Sequence, residues 1–160
     1  MIFTILGTQM FSFERLIDYL KEVKAVFPDE EVVVQYGHTK VESSEFKVYD
    51  FIDKETYSKL LDESSFVITH GGVGSIHDGL YRHKKIICLP RKKEFNEHID
   101  DHQLEICKKY QDMGYVLCAE NKDEFIECLN KIIDFEPREF EIPNNEITKY
   151  LIGYIENERK

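Results

Sequence analysis

The chain has 160 residues, enough for one domain with a sizeable core, and its 42% hydrophobic and 32% charged residues argue for a folded globular protein and against disorder. A formal net charge of -10 disfavours a general role on nucleic acid, which needs clustered Lys and Arg to neutralise phosphates. No stretch approaches the roughly 20 apolar residues of a membrane span, and Met1 to Leu6 meets Gly7 too soon to read as a signal peptide, so a cytoplasmic chain is expected, peripheral to a membrane only through a partner.

In chain order, Ile2 to Leu6 reads as a buried strand. Gly7-Thr8-Gln9 makes a turn, and a helix follows with Phe13, Leu16, Ile17, Leu20 and Val23 on one face, closed by Pro28-Asp29. Val32 to Tyr36 is a β-branched strand ended by Gly37-His38, and Phe46 to Phe51 is a shorter one. A helix over Lys54 to Glu63 turns Tyr57, Leu60 and Leu61 inward. Then come the strand Phe66 to Thr69, a glycine-rich turn, a helix from Ile76 to Arg82, and the strand Ile86 to Leu89, stopped by Pro90. A charged loop from Arg91 to Ile99 leads to a helix from Asp101 to Met113, a strand at Tyr115 to Cys118 and a helix from Asp123 to Phe135. Residues 144–158 read as a last helix within the same 1–160 domain.

The turn His70-Gly71-Gly72-Val73-Gly74-Ser75 is the centre of the pattern. A buried strand that breaks on glycines and restarts as a helix exposes backbone N–H groups where the helix dipole favours an anion, so a phosphate fits there. A tight turn without a ligand is the plainer alternative. The basic runs Arg82-His83-Lys84-Lys85 and Arg91-Lys92-Lys93 bracket the next strand and would add positive potential beside that turn, or are solvated loop faces. Cys88, Cys107, Cys118 and Cys128 lack metal-ligand spacing and read as reduced, mostly buried thiols.

Strands alternating with helices imply an α/β fold, a Rossmann-like parallel sheet with helices on both faces. Ligands of such sheets gather at strand C-termini, where the Gly7 and His70 to Ser75 turns both lie. Gly7 stands alone in the first turn, without the glycine fingerprint of dinucleotide enzymes, and the phosphate-loop lysine pattern is absent too, so a dehydrogenase is disfavoured.

The series Thr69 to Ile76, the strand ending at Pro90 and the trio Asp101-His102-Gln103 together resemble the C-terminal, donor-binding half of GT-B glycosyltransferases of the family 28 type. Within these the chain is similar to the bacterial lipid II-forming GlcNAc transferase group and to the small subunits of the split dolichol-linked UDP-GlcNAc transferase and of bacterial two-component polysaccharide galactosyltransferases. The resemblance implies a single GT-B half-domain. Its Gly71, Gly72, Gly74 and Ser75 would cradle the diphosphate of a UDP-sugar, the donor substrate, with no further cofactor and no metal. Asp78 would hold the ribose, with a shorter side chain than the Glu of many relatives. Asp101, His102 and Gln103 would meet the sugar, Asp101 also serving as a helix N-cap. Gly7 and Thr8, with Gln9, would face the diphosphate or the acceptor, and His70 either touches phosphate or is a loop histidine. His38 is a weaker candidate for the same crevice. No catalytic base is legible, so a membrane-associated partner subunit bringing a lipid-linked saccharide acceptor is implied, for capsular or exopolysaccharide synthesis. A non-catalytic nucleotide-sugar-binding accessory subunit is the alternative.

Overall fold

A computed structural model describes residues 1–140; the helix expected over 144–158 lies outside the described residues. The strands are β1 (Ile2–Ile5), β2 (Val32–Gln35), β3 (Lys47–Tyr49), β4 (Phe66–Thr69), β5 (Lys85–Cys88) and β6 (Leu117–Cys118). The helices are α1 (Glu14–Val26), α2 (Lys54–Glu63), α3 (Val73–Leu80), α4 (His102–Asp112) and α5 (Lys122–Lys131), with a 3₁₀ turn at Lys93–Phe95. All described strand pairs are parallel, in the order β3-β2-β1-β4-β5-β6.

That order follows from the sequence pattern. β1, β2 and β4 are buried at every residue, as strands covered on both faces must be, and successive side chains alternate between two cores. Ile2, Val32, Val34, Phe66, Ile68 and Ile87 pack under Leu16, Leu20 and Val23 of α1 and Phe125 and Leu129 of α5. Phe3, Ile5, Val33, Val67 and Ile86 pack on the other face under Leu60 and Leu61 of α2, Ile76 and Leu80 of α3 and Cys107 of α4. The chain runs outward from β1 to β3, then returns past β1 to lay down β4. Between β1 and β4 the direction reverses, which splays their following loops apart and leaves a crevice at the C-terminal edge.

Three expectations need correction. The helix after the glycine turn starts at Val73, three residues earlier than Ile76, because Val73 and Gly74 adopt the first helical turn at once. The last strand is only Leu117–Cys118, at a sheet edge where a single neighbour, β5, sustains pairing. The run Arg82 to Lys85 lies at the N-terminal end of β5, the end of the sheet opposite the glycine turn. There Arg82 pairs with Asp62 and Lys84 donates to the Asp62 and Ser64 carbonyls, a structural task remote from the crevice.

The four cysteines are free thiols, three of them buried. Cys88 and Cys118 sit in register on neighbouring strands, with the Cys107 thiol of α4 between them as hydrogen-bond partner. That hydrogen bond and burial keep the Cys118 thiol protonated far above its ordinary range, and burial pushes Cys128 up to about 12.

Candidate functional site

The crevice predicted by topology is a cleft of about 370 Å³ between the β1 and β4 loops. It is walled by Gly7, Thr8 and Gln9 on one side and by His70, Gly72, Gly74, Ser75 and Asp78 on the other; Gln35, Phe51, Ile52 and Tyr57 form the far end. A larger hollow of about 630 Å³ runs along the solvent face of α2, but its walls are the charged and polar side chains of that one helix, whose first turn is already capped by Asp53.

The start of α3 supplies the donors. α2 and α5 close their first turns with side chains, Asp53 accepting from the Thr56 amide at 2.9 Å and Asn121 from the Glu124 amide at 3.0 Å. α3 has Gly72 at that position and no side-chain cap. Among the described residues, the amides from Gly71 to Ser75 donate to no carbonyl. Unsatisfied amides converge at the positive end of α3, facing the cleft.

The glycines have separate causes. Gly71 has φ +85°, and a Cβ there would collide with the Cys107 thiol of α4. Gly7 has φ +87°, and a Cβ on it would stand 2.8 Å from Nε2 of His70; one on Gly72 would strike the same nitrogen from the other side. The imidazole is thus held between the two turns. Gly74 is different: nothing in the protein lies within 4 Å of where its Cβ would be. No packing accounts for a glycine in this helical turn, and the open space above it belongs to the cleft.

His70 is fixed by a chain of protons. Ser75 donates its hydroxyl to the Gly72 carbonyl at 2.9 Å, so Thr69 must donate to Ser75 across 2.6 Å, leaving the Thr69 oxygen to accept from His70 Nδ1 at 3.3 Å. The Ile5 carbonyl faces the same Nδ1 at 3.2 Å. The network therefore assigns the proton to Nδ1 and a bare lone pair to Nε2. Burial first, then the nearby Arg91 charge, depress the imidazole to about 4. The Ser75 hydroxyl, expected as a phosphate donor, has its proton on Gly72; its amide is the free group.

Asp78 lies one turn further along α3, in the cleft wall, facing Tyr57. The phenol is packed edge-on against Phe3, ring centroids 5.7 Å apart, and burial and then the Asp78 charge hold it protonated above its usual range. His38 is exposed on the rim with its ring against Phe51.

The Asp101-His102-Gln103 trio sits one strand over, outside the walls of the cleft. Asp101 occupies the N-cap position of α4 without capping it: its carboxylate accepts from the Lys93 amide at 2.9 Å, pinning the 3₁₀ turn, while Asp100 takes the His102 amide at 3.1 Å. His102 is exposed. Gln103 is buried one turn before Cys107, hence beside Gly71, and its carbonyl accepts from the Arg91 amide at 3.1 Å.

Sequence reasoning missed Arg91. Read as part of a basic run that either adds potential beside the glycine turn or is a solvated loop face, it is instead fully buried, 1% exposed, over the Phe13 ring. Its guanidinium donates to the Leu6, Phe11 and Glu97 carbonyls at 2.6, 2.7 and 3.1 Å, clamping both ends of the first turn. Glu97 in turn pairs with Arg15 at 2.8 Å. Gln35, Phe51, Ile52 and Tyr57 were also missed as cleft walls, although Phe51 and Ile52 lie in the short loop between β3 and the α2 cap Asp53, the position where the fold gathers ligands.

A family model described as Glycosyltransferase family 28 C-terminal domain matches residues 1–151. The chain is similar to the UDP-N-acetylglucosamine transferase subunit ALG13 of Candida glabrata, 31% identical over 101 residues that cover 62% of this chain and 47% of that protein. To the subunit of the same name from Candida albicans it is 28% identical over 75 residues, 47% of this chain and 24% of that protein. The chain thus spans about half or less of these curated relatives. The NMR solution structure of ALG13 matches with a TM-score of 0.61 at 21% identity, over 94% of this chain and 93% of that one, a likeness of fold.

Proposed function

The chain belongs to the glycosyltransferase family 28 C-terminal domains, and from that premise we propose that it is the UDP-sugar-binding subunit of a two-component inverting glycosyltransferase. The observation that carries the reading is the uncapped start of α3, with free amides from Gly71 to Ser75 and open space over Gly74 at the switch point of the sheet. A diphosphate laid there receives several backbone hydrogen bonds and the helix dipole. Asp78 is placed to accept from the ribose hydroxyls, and the apolar end at Phe51 and Ile52 suits a base. Thr8 and Gln9 close over the diphosphate from the β1 side. Gln103, its carbonyl committed to Arg91, offers its amide N–H groups to the hexose beside Gly71, with Asp101 and His102 at the same rim.

The hexose is galactose or GlcNAc, and the acceptor a lipid-linked saccharide of the kind used in capsular or exopolysaccharide synthesis. A membrane-associated partner subunit brings that acceptor and keeps this chain at the cytoplasmic face. Amides, the α3 dipole and basic side chains rather than a metal ion balance the departing UDP, and no metal or other cofactor is required.

Calorimetry with UDP, UDP-Gal, UDP-GlcNAc and UDP-Glc tests the reading. Asp78→Ala should weaken UDP itself by roughly tenfold to a hundredfold, the worth of a hydrogen bond to a charged group, about 1.5–3 kcal/mol. Gln103→Ala should weaken intact donors and leave UDP unchanged. EDTA should alter neither binding nor turnover of the two-subunit complex. Equal loss of UDP and donor in both variants would break the assignment of roles, and binding without any turnover by the complex would make the chain an accessory subunit.

A further inference from the structure

A diphosphate between the two glycine turns needs positive charge, yet among the described residues lining the cleft there is no lysine or arginine. Arg91 is sealed behind the Gly7 turn with its two terminal nitrogens on three carbonyls, and Lys92 is paired with Glu94 and Glu120. The basic side chain that does line the cleft is His70, with Nε2 held between Gly7 and Gly72 where the two turns face each other. Resting on the nucleotide-sugar reading above, we infer that His70 is the counter-charge of the diphosphate and acquires it on binding, so that donor binding takes up one proton from solvent.

The geometry makes the uptake specific to Nε2. Nδ1 keeps its proton against the Ile5 carbonyl and Thr69, so an incoming phosphate oxygen meets a lone pair and cannot stay against it unless a second proton arrives there. The groups that face the ring from each packed element set the balance. From β1 the Ile5 carbonyl favours the cation. From beyond β5 the Arg91 charge opposes it, as does His98 in the loop before α4. From α3 Asp78 and from α2 Tyr57 share the cleft, and Cys107 of α4 lies beneath Gly71 as a neutral thiol. The empty site sits at about 4 and is neutral at pH 7. Because the bound form carries the extra proton, donor affinity rises as pH falls from neutrality toward 5 and fades as pH rises through the higher value of the complex.

The test is calorimetric titration of the wild-type chain with UDP-GlcNAc and UDP-galactose, whose phosphates do not themselves titrate near neutrality, in PIPES and in Tris at pH 7. The difference in heat between buffers should report uptake of about one proton, and affinity should improve by about tenfold for each pH unit lowered. His70→Gln should bind more weakly with no uptake, and uridine, lacking phosphates, should bind wild type with no uptake. UDP-sugar binding with zero uptake would overturn the inference, since a neutral ring donating from Nε2 would then suffice, and would leave the nucleotide-sugar reading standing. No binding of any UDP compound would sink both.

Discussion

Gly74→Ala is expected to raise the melting temperature and to lower the affinity for UDP. Alanine in a helical turn is better than glycine by about 0.8–1 kcal/mol, and at Gly74 the new methyl meets no protein atom within 4 Å. For a domain of this size that is a gain of roughly 2–4 °C. The same methyl occupies the space from which a diphosphate would reach the amides of Val73, Gly74 and Ser75. Gly74→Val fills it completely, and the loss of two charge-assisted hydrogen bonds, about 3 kcal/mol or more, should weaken UDP at least about a hundredfold. A site at which an added methyl stabilises the fold and weakens the ligand is one kept small for the ligand. Unchanged UDP affinity in the stabilised alanine variant would place the diphosphate elsewhere.

Arg91→Met should produce the largest loss of stability, about 3–5 kcal/mol and hence a fall of about 10 °C or more in the melting temperature. Methionine fills much of the volume over Phe13 but leaves the Leu6, Phe11 and Glu97 carbonyls without their donors in a buried setting, each a desolvation cost of about 1–3 kcal/mol. Burial lowers the guanidinium to about 10, still charged at neutral pH, so the side chain acts as a fixed cation throughout the physiological range. Arg91→Lys should recover little, because one ammonium cannot reproduce a planar fork spread over three carbonyls. Thermal unfolding followed by circular dichroism decides this. A fall of only a degree or two would mean that the first turn holds its shape without the clamp.

The parallel sheet and the glycine turn were legible because they depend on local pattern: continuous β-branched runs, a glycine break and a restarted helix. What escaped depends on which way a side chain turns. Arg91, Lys92 and Lys93 are equivalent as text, but Pro90 ends β5 so that Arg91 points beneath the Gly7 turn while its neighbours stay outside. Asp100 and Asp101 are likewise adjacent carboxylates, and only the backbone course decides that the first serves α4 and the second the 3₁₀ turn. His70 was noticed, but its tautomer required the Thr69, Ser75 and Gly72 partners, which a sequence does not align. Gln35 and Tyr57 reach the cleft from β2 and α2, elements read correctly, but Tyr57 was assigned to the core and Gln35 was given no role.

The most direct measurement is an amide NMR titration of the ¹⁵N-labelled chain with UDP-GlcNAc. The largest shifts should fall on the amides of Gly72, Val73, Gly74 and Ser75, with smaller ones at Gly7 and Thr8 across the cleft. Shifts confined to the outer face of α2, with the start of α3 unmoved, would contradict the placement of the diphosphate.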